Sequence, residues 1–212
     1  MLHKYYTVKG YGESEIVIEK SRFICYANRA TTEEEATQFI QTIKKKHWDA
    51  THNCSAYLIG EHDHIQKAND DGEPSGTAGV PMLEVLRKKG LKDTVVVVTR
   101  YFGGIKLGAG GLVRAYSKAV SEGLKAAEIV ERRLMRIMHV AIDYNWLGKV
   151  ENALRSSIYD VKAIHYLDHV EIEVFVEENN KQPFCEWLTD LTNAKSEIRE
   201  GEVTYLEKTI EF

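Results

Sequence analysis

The densest chemistry in the 212-residue sequence is the run Arg100-Tyr101-Phe102-Gly103-Gly104-Ile105-Lys106-Leu107-Gly108-Ala109-Gly110-Gly111-Leu112-Val113-Arg114, with five glycines in nine positions. Glycine permits positive φ and lets another molecule approach the backbone closely. Helical spacing begins near Gly108, and a helix start offers unpaired N–H groups and partial positive charge. Arg100, Lys106 and Arg114 flank the run, and Lys118 lies one turn beyond. These residues predict an anion site for phosphate or carboxylate, with the amide hydrogens between Phe102 and Leu112 pointing outward. The competing reading is a tight strand–helix turn that needs glycine only for packing. Tyr101 or Phe102 would stack on a base, or else be buried at a sheet edge.

No nucleotide motif narrows the anion. Gly103 and Gly108 have the P-loop spacing, but Ala109 stands where lysine is required. Gly108 and Gly110 begin a dinucleotide fingerprint, but Val113 replaces its third glycine. Neither ATP nor NAD is supported, and no cofactor is assigned.

The second candidate is the polar loop containing Asp70, Asp71, Glu73, Ser75 and Thr77. Its acids would hold Mg²⁺, cap the helix beginning near Thr77, or pair with Arg100. Adjacent acids in extended chain diverge, and the EF-hand ligand pattern is missing. A salt-bridged supporting loop is therefore expected, with no metal. The third candidate is His52 with Cys54, which share a strand face about 7 Å apart. That is too far for a thiol–imidazole pair without distortion. His62-Asp63-His64 reads as a polar hairpin tip.

The elements that position these groups follow from periodicity. Residues 15–19 and 22–26 alternate as strands. Thr32 with Glu35 forms a capping box before a helix that closes on Lys44-Lys45-Lys46. Residues 54–59 read as a strand. Val80, Leu83, Val85 and Leu86 mark a helix that tolerates Pro81 in its first turn. The β-branched run 94–99 predicts a central strand buried on both faces. Leu112, Tyr116, Ala119, Val120, Leu124 and Ala127 give the core face of a helix over 108–127. Beyond residue 133 the order restarts: strand 135–144, a helix through Trp146 and Leu154 capped by Asn145, a hairpin over 158–176, a helix over 184–191, and strand 203–212. That β-α-β-β-α-β order is the ferredoxin-like pattern. The expected class is α+β, with domains over 1–133 and 134–212.

Composition limits the function classes. Hydrophobic residues make up 43% and charged residues 28%, a globular balance. No apolar run reaches membrane-spanning length and the N-terminus lacks a signal-peptide core, so a cytoplasmic protein with no membrane partner is expected. The net charge of −4 argues against general nucleic-acid binding, but it divides into +3 over 1–133 and −7 over 134–212. Cys25, Cys54 and Cys185 are widely separated and read as small buried hydrophobes.

Residues 69–79 and 99–114, with Gly90-Leu91-Lys92-Asp93-Thr94 and His52-Asn53-Cys54-Ser55-Ala56-Tyr57, closely resemble the IMPACT family, including its bacterial YigZ-type members. The resemblance covers about residues 1–130 strongly and the remainder through weaker motifs. It implies a first domain of the ribosomal protein S5 domain 2-like fold. It implies a second, ferredoxin-like domain similar to the last domain of elongation factor G. It also implies a role in translational control, where eukaryotic members compete for the activator of a starvation kinase. The leading expectation is a non-enzymatic regulator that binds RNA, the ribosome or a protein partner in translation. An enzyme acting on a small phosphorylated ligand and a pure protein-interaction module are the alternatives.

Overall fold

The computed structural model describes residues 1–210. It is a mixed α/β structure with two sheets and five α-helices. The chain divides into two compact units, one holding Met1–Arg132 with the described residues from Glu207 onward, the other Arg133–Leu206. The last residues of the final strand thus cluster with the first unit, unlike the expected 134–212 division.

The first unit is built on a sheet of five strands in the order β2 (Gly12–Ile18), β3 (Ser21–Arg29), β6 (Thr94–Tyr101), β4 (His52–Ile59) and β5 (Ile65–Asn69). β6 is the expected central strand, antiparallel to β3 and to β4. Its period of two sends Val95 and Val97 to one face and Val96 and Val98 to the other. On the first face, Ala36, Ile40 and Ile43 of α1 (Glu33–Lys46) pack with Tyr26 and Tyr57. On the second lie α2 (Gly79–Lys88) and α3 (Gly108–Ala126), whose Met82, Leu86, Tyr116, Val120 and Leu124 meet Phe23, Cys25 and Cys54. Every residue expected on the core face of α3 is buried. In α2, Val80 is instead 51% exposed, because Pro81, Met82 and Leu86 form the buried side. β1 (Lys4–Val8) and β5 are not predicted by the sequence pattern.

The second unit holds most of β7 (Ile129–Ile142), then α4 (Tyr144–Arg155), β8 (Asp160–Tyr166), β9 (Val170–Val176), α5 (Lys181–Leu191) and most of β10 (Ser196–Ile210). β10 pairs β7, β7 pairs β9 and β9 pairs β8, which is the ferredoxin-like strand order. Val140, Ile172 and Val174 pack against Val150, Leu154, Phe184 and Leu188 from the two helices. Asn145 is not the cap of α4. Asp143 takes that place in an extended conformation, and its carbonyl accepts from the Trp146 amide.

Candidate functional site

The glycine-rich run connects the end of β6 to the start of α3, as its composition predicts. At Gly103 a Cβ would lie 2.0 Å from the Lys20 carbonyl carbon, so only glycine lets the β2–β3 turn press this close. Gly104 (φ 88°) and Gly108 (φ 71°) face open space and are required by conformation. Two of the amides expected to point outward are spoken for. Phe102 N donates to Thr51 Oγ1 at 3.0 Å, and Gly103 N donates to Ser21 Oγ at 3.1 Å.

The helix start itself is open. Leu107 stands at the N-cap with no side-chain hydrogen bond, and no acid occupies the first turn. Gly108, Ala109 and Gly110 are exposed, and no acceptor outside the helix meets their amides among the described residues. Lys106, Arg114 and Lys118 are exposed and form no ion pair among the described residues. With Leu107, Gly111, Ile18, Ile105 and Glu19 they line a hollow of about 440 Å³. Three cations against one carboxylate make it electropositive, and the helix dipole adds to that potential.

Arg100 plays a different part from the other three. It is 5% exposed, and its guanidinium donates to Glu73 Oε1 at 2.6 Å and to Ser21 Oγ at 3.3 Å. Tyr116 of α3 donates to the same Glu73 oxygen at 2.7 Å. The charge of Arg100 is therefore matched inside the fold, and it ties β6, α3 and the 70–77 loop together. Its guanidinium also lies 5.3 Å from the Phe23 ring centroid and 5.5 Å from that of Phe102.

The acids of the polar loop are taken up in hydrogen bonds within the fold. Asp70 Oδ1 accepts from the amides of Ala78 and Gly79 and Oδ2 from Gly76, so it caps α2 from a distance. Burial works to raise the Asp70 pKa, but the three amide bonds outweigh it and hold it below its ordinary value. Asp71 accepts from Lys44 at 2.7 Å and from the Asn53 amide. Thr77 donates to the Pro74 carbonyl, while Ser75 is exposed. No group of three or more His, Cys, Asp or Glu side chains fit for a metal ion occurs among the described residues.

Tyr101 is half-buried, and its hydroxyl lies 2.8 Å from His47 Nδ1 and 3.2 Å from Asp49. Tyr26 contacts the other His47 nitrogen at 2.5 Å. Burial, helped by the charge of Lys46, lowers the His47 pKa. Tyr101 is thus engaged, whereas Phe102 is 46% exposed, with the Arg100 guanidinium against one side of its ring. Cys54 is buried, donating toward the Asp70 carbonyl and Tyr116, and burial pushes its thiol up to about 12. At that value it is not a nucleophile near neutral pH.

Sequence reasoning does not single out the Thr51 and Ser21 latches or the approach of His52 to Glu73. Pairing of β3 and β4 with β6 brings them together, and no local pattern encodes that. Lys106, Leu107 and Gly108 border a second hollow of about 440 Å³, which His52, Glu73, Arg100 and Phe102 also line.

These features define a two-unit α/β protein with an uncapped, basic helix start beside a glycine-rich turn. Residues 19–124 match the Impact N-terminal domain, and residues 140–195 match a domain of unknown function, DUF1949. IMPACT family member YvyE of Bacillus subtilis (strain 168) is 70% identical over 210 residues, covering 99% of this chain and 97% of its own. An IMPACT family member of Haemophilus influenzae is 36% identical over 187 residues, covering 86% and 89%. A crystal structure described as a hypothetical protein superposes with a TM-score of 0.60 at 28% identity, covering 95% of this chain and 99% of that one. The chain belongs to the IMPACT family.

Proposed function

We propose that this protein is a non-enzymatic, cytoplasmic regulator of translation that binds RNA, on or off the ribosome, through the start of α3. The observation that carries the reading is the uncapped first turn of α3 beside three exposed cations without ion pairs. Phosphate oxygens complement both the free amides and the positive side chains. Gly104, Gly108 and Gly110 keep the backbone accessible, Gly103 and Gly111 allow the close packing behind it, and Lys106, Arg114 and Lys118 supply charge. Arg100, Asp70, Asp71, Glu73 and Thr77 hold the surface in shape. Membership of the IMPACT family supports the link to translation. No helix among the described residues is long and apolar enough to cross a membrane.

The test is RNA and ribosome binding over a salt series with the purified chain. The double variant Lys106→Ala, Arg114→Ala should bind more weakly. For single-stranded RNA its log–log salt slope should flatten by about 0.7 for each phosphate that is no longer neutralised. Unchanged affinity and slope would refute the proposal.

A further inference from the structure

The second hollow is lined by His52 and Glu73, each with a polar atom that makes no hydrogen bond among the described residues. His52 Nδ1 lies 2.8 Å from the Asp71 carbonyl oxygen. A carbonyl only accepts, so Nδ1 donates to it and Nε2 is the ring nitrogen left for another partner. Nε2 sits 3.7 Å from Glu73 Oε2. The Glu73 side chain is only 3% exposed, and its other oxygen is saturated by Arg100 and Tyr116. Neither Nε2 nor Oε2 makes a hydrogen bond among the described residues. The Arg100 Nε, buried beneath the same hollow, is also unpartnered. Of the three, Arg100 Nε is the buried one, and a buried polar atom is seldom left unpaired because a missing hydrogen bond is costly.

We infer that this hollow is a pocket for the 3′-terminal ribonucleotide of an RNA strand, its free 2′,3′-diol hydrogen-bonded to His52 Nε2 and donating to Glu73 Oε2. The inference rests on the RNA-binding reading above and specifies which part of the RNA is read. Two vicinal hydroxyls, each able to donate and accept, match these two neighbouring polar atoms, and a carboxylate is a suitable acceptor for ribose hydroxyls. The exposed face of Phe102, backed by the Arg100 guanidinium, is a platform for the terminal base. The first turn of α3 and Lys106 border the same hollow and receive the phosphate of that nucleotide. Lys106 and Leu107 also line the basic hollow, where Arg114 and Lys118 await the preceding phosphates. A strand would thus run across the basic hollow and end against His52.

The experiment compares labelled ten-nucleotide RNAs of one sequence, differing only at the 3′ end, by fluorescence anisotropy. The ends are the free diol, a 3′-phosphate and a terminal 2′-deoxyribose. 5′-AMP serves as a competitor. The free diol should bind most tightly, with a loss of about tenfold for the 3′-phosphate and a smaller loss for the deoxy end. His52→Ala should erase the difference between ends while keeping the salt dependence, and Phe102→Ala should weaken all three. Equal affinity for all three ends, with RNA still bound, overturns the pocket assignment and leaves the RNA-binding reading intact. Binding of none of them overturns both. If 5′-AMP competes as tightly as the oligonucleotide binds, the occupant is a free nucleotide and the strand-end assignment fails.

Discussion

α1 and α3 begin in opposite ways. At α1, the Thr32 hydroxyl accepts from the Glu35 amide, Glu35 accepts from Thr31, and Glu33, Glu34 and Glu35 fill the first turn. At α3, an apolar Leu107 holds the cap position, three of the first four residues are glycine, and no acid is present. The first end is saturated by its own side chains. The second forgoes capping worth about 1 kcal/mol, and cations surround it in place of acids. A helix end left unsatisfied beside unpaired cations has room for an external anion.

The largest expected effect comes from the support under α3. Glu73→Ala strands Arg100 as a buried unpaired charge and removes the acceptor of Tyr116, so urea denaturation should reveal a loss of about 3–5 kcal/mol. A loss below about 1 kcal/mol would mean that the Arg100–Glu73 pair does not hold α3 in place. Thr32→Ala should cost about 1 kcal/mol with RNA affinity unchanged, since the α1 cap is purely structural. Ala109→Glu sharpens the contrast, because stability and binding should move in opposite directions. An acid in the empty first turn should stabilise the fold by about 0.3–1 kcal/mol while weakening RNA binding. Stronger RNA binding by this variant would contradict the site.

The smallest effect concerns α2, capped from the loop by Asp70. Its folded pKa is depressed, so its contribution is fully present above the unfolded value of about 4 and is lost as pH falls through the folded pKa. Asp70→Asn should therefore flatten the acid limb of a stability-against-pH curve.

The legible parts of the fold are those written in local periodicity. The spacing from Leu112 to Ala127 marks the buried face of α3, and the valines of β6 mark the centre of its sheet. Thr32 and Glu35 announce α1 because capping is a short-range pattern. β1 and β5 are missed because Lys4-Tyr5-Tyr6 and Gln66-Lys67 carry no clean alternation. The start of β10 is placed seven residues late, because Ser196–Glu202 is largely charged. Within the site, glycine density and flanking bases point to the helix start. Pairing of the loop's acids with Arg100 is among the readings of the sequence, but the burial of that pair is hidden, since Glu73 lies 27 residues away on the loop between β5 and α2. The His52–Glu73 approach is hidden for the same reason.

The hydroxyls of Thr51 and Ser21 have a consequence for recognition. By gripping the Phe102 and Gly103 amides, they immobilise the near side of a segment whose glycines would otherwise wander. A ligand bound there as proposed would meet a preorganised cradle and forfeit little conformational entropy on docking. The hydroxyls of Ser21, on β3, and Thr51, just before β4, thereby hold a glycine-rich peptide in one conformation.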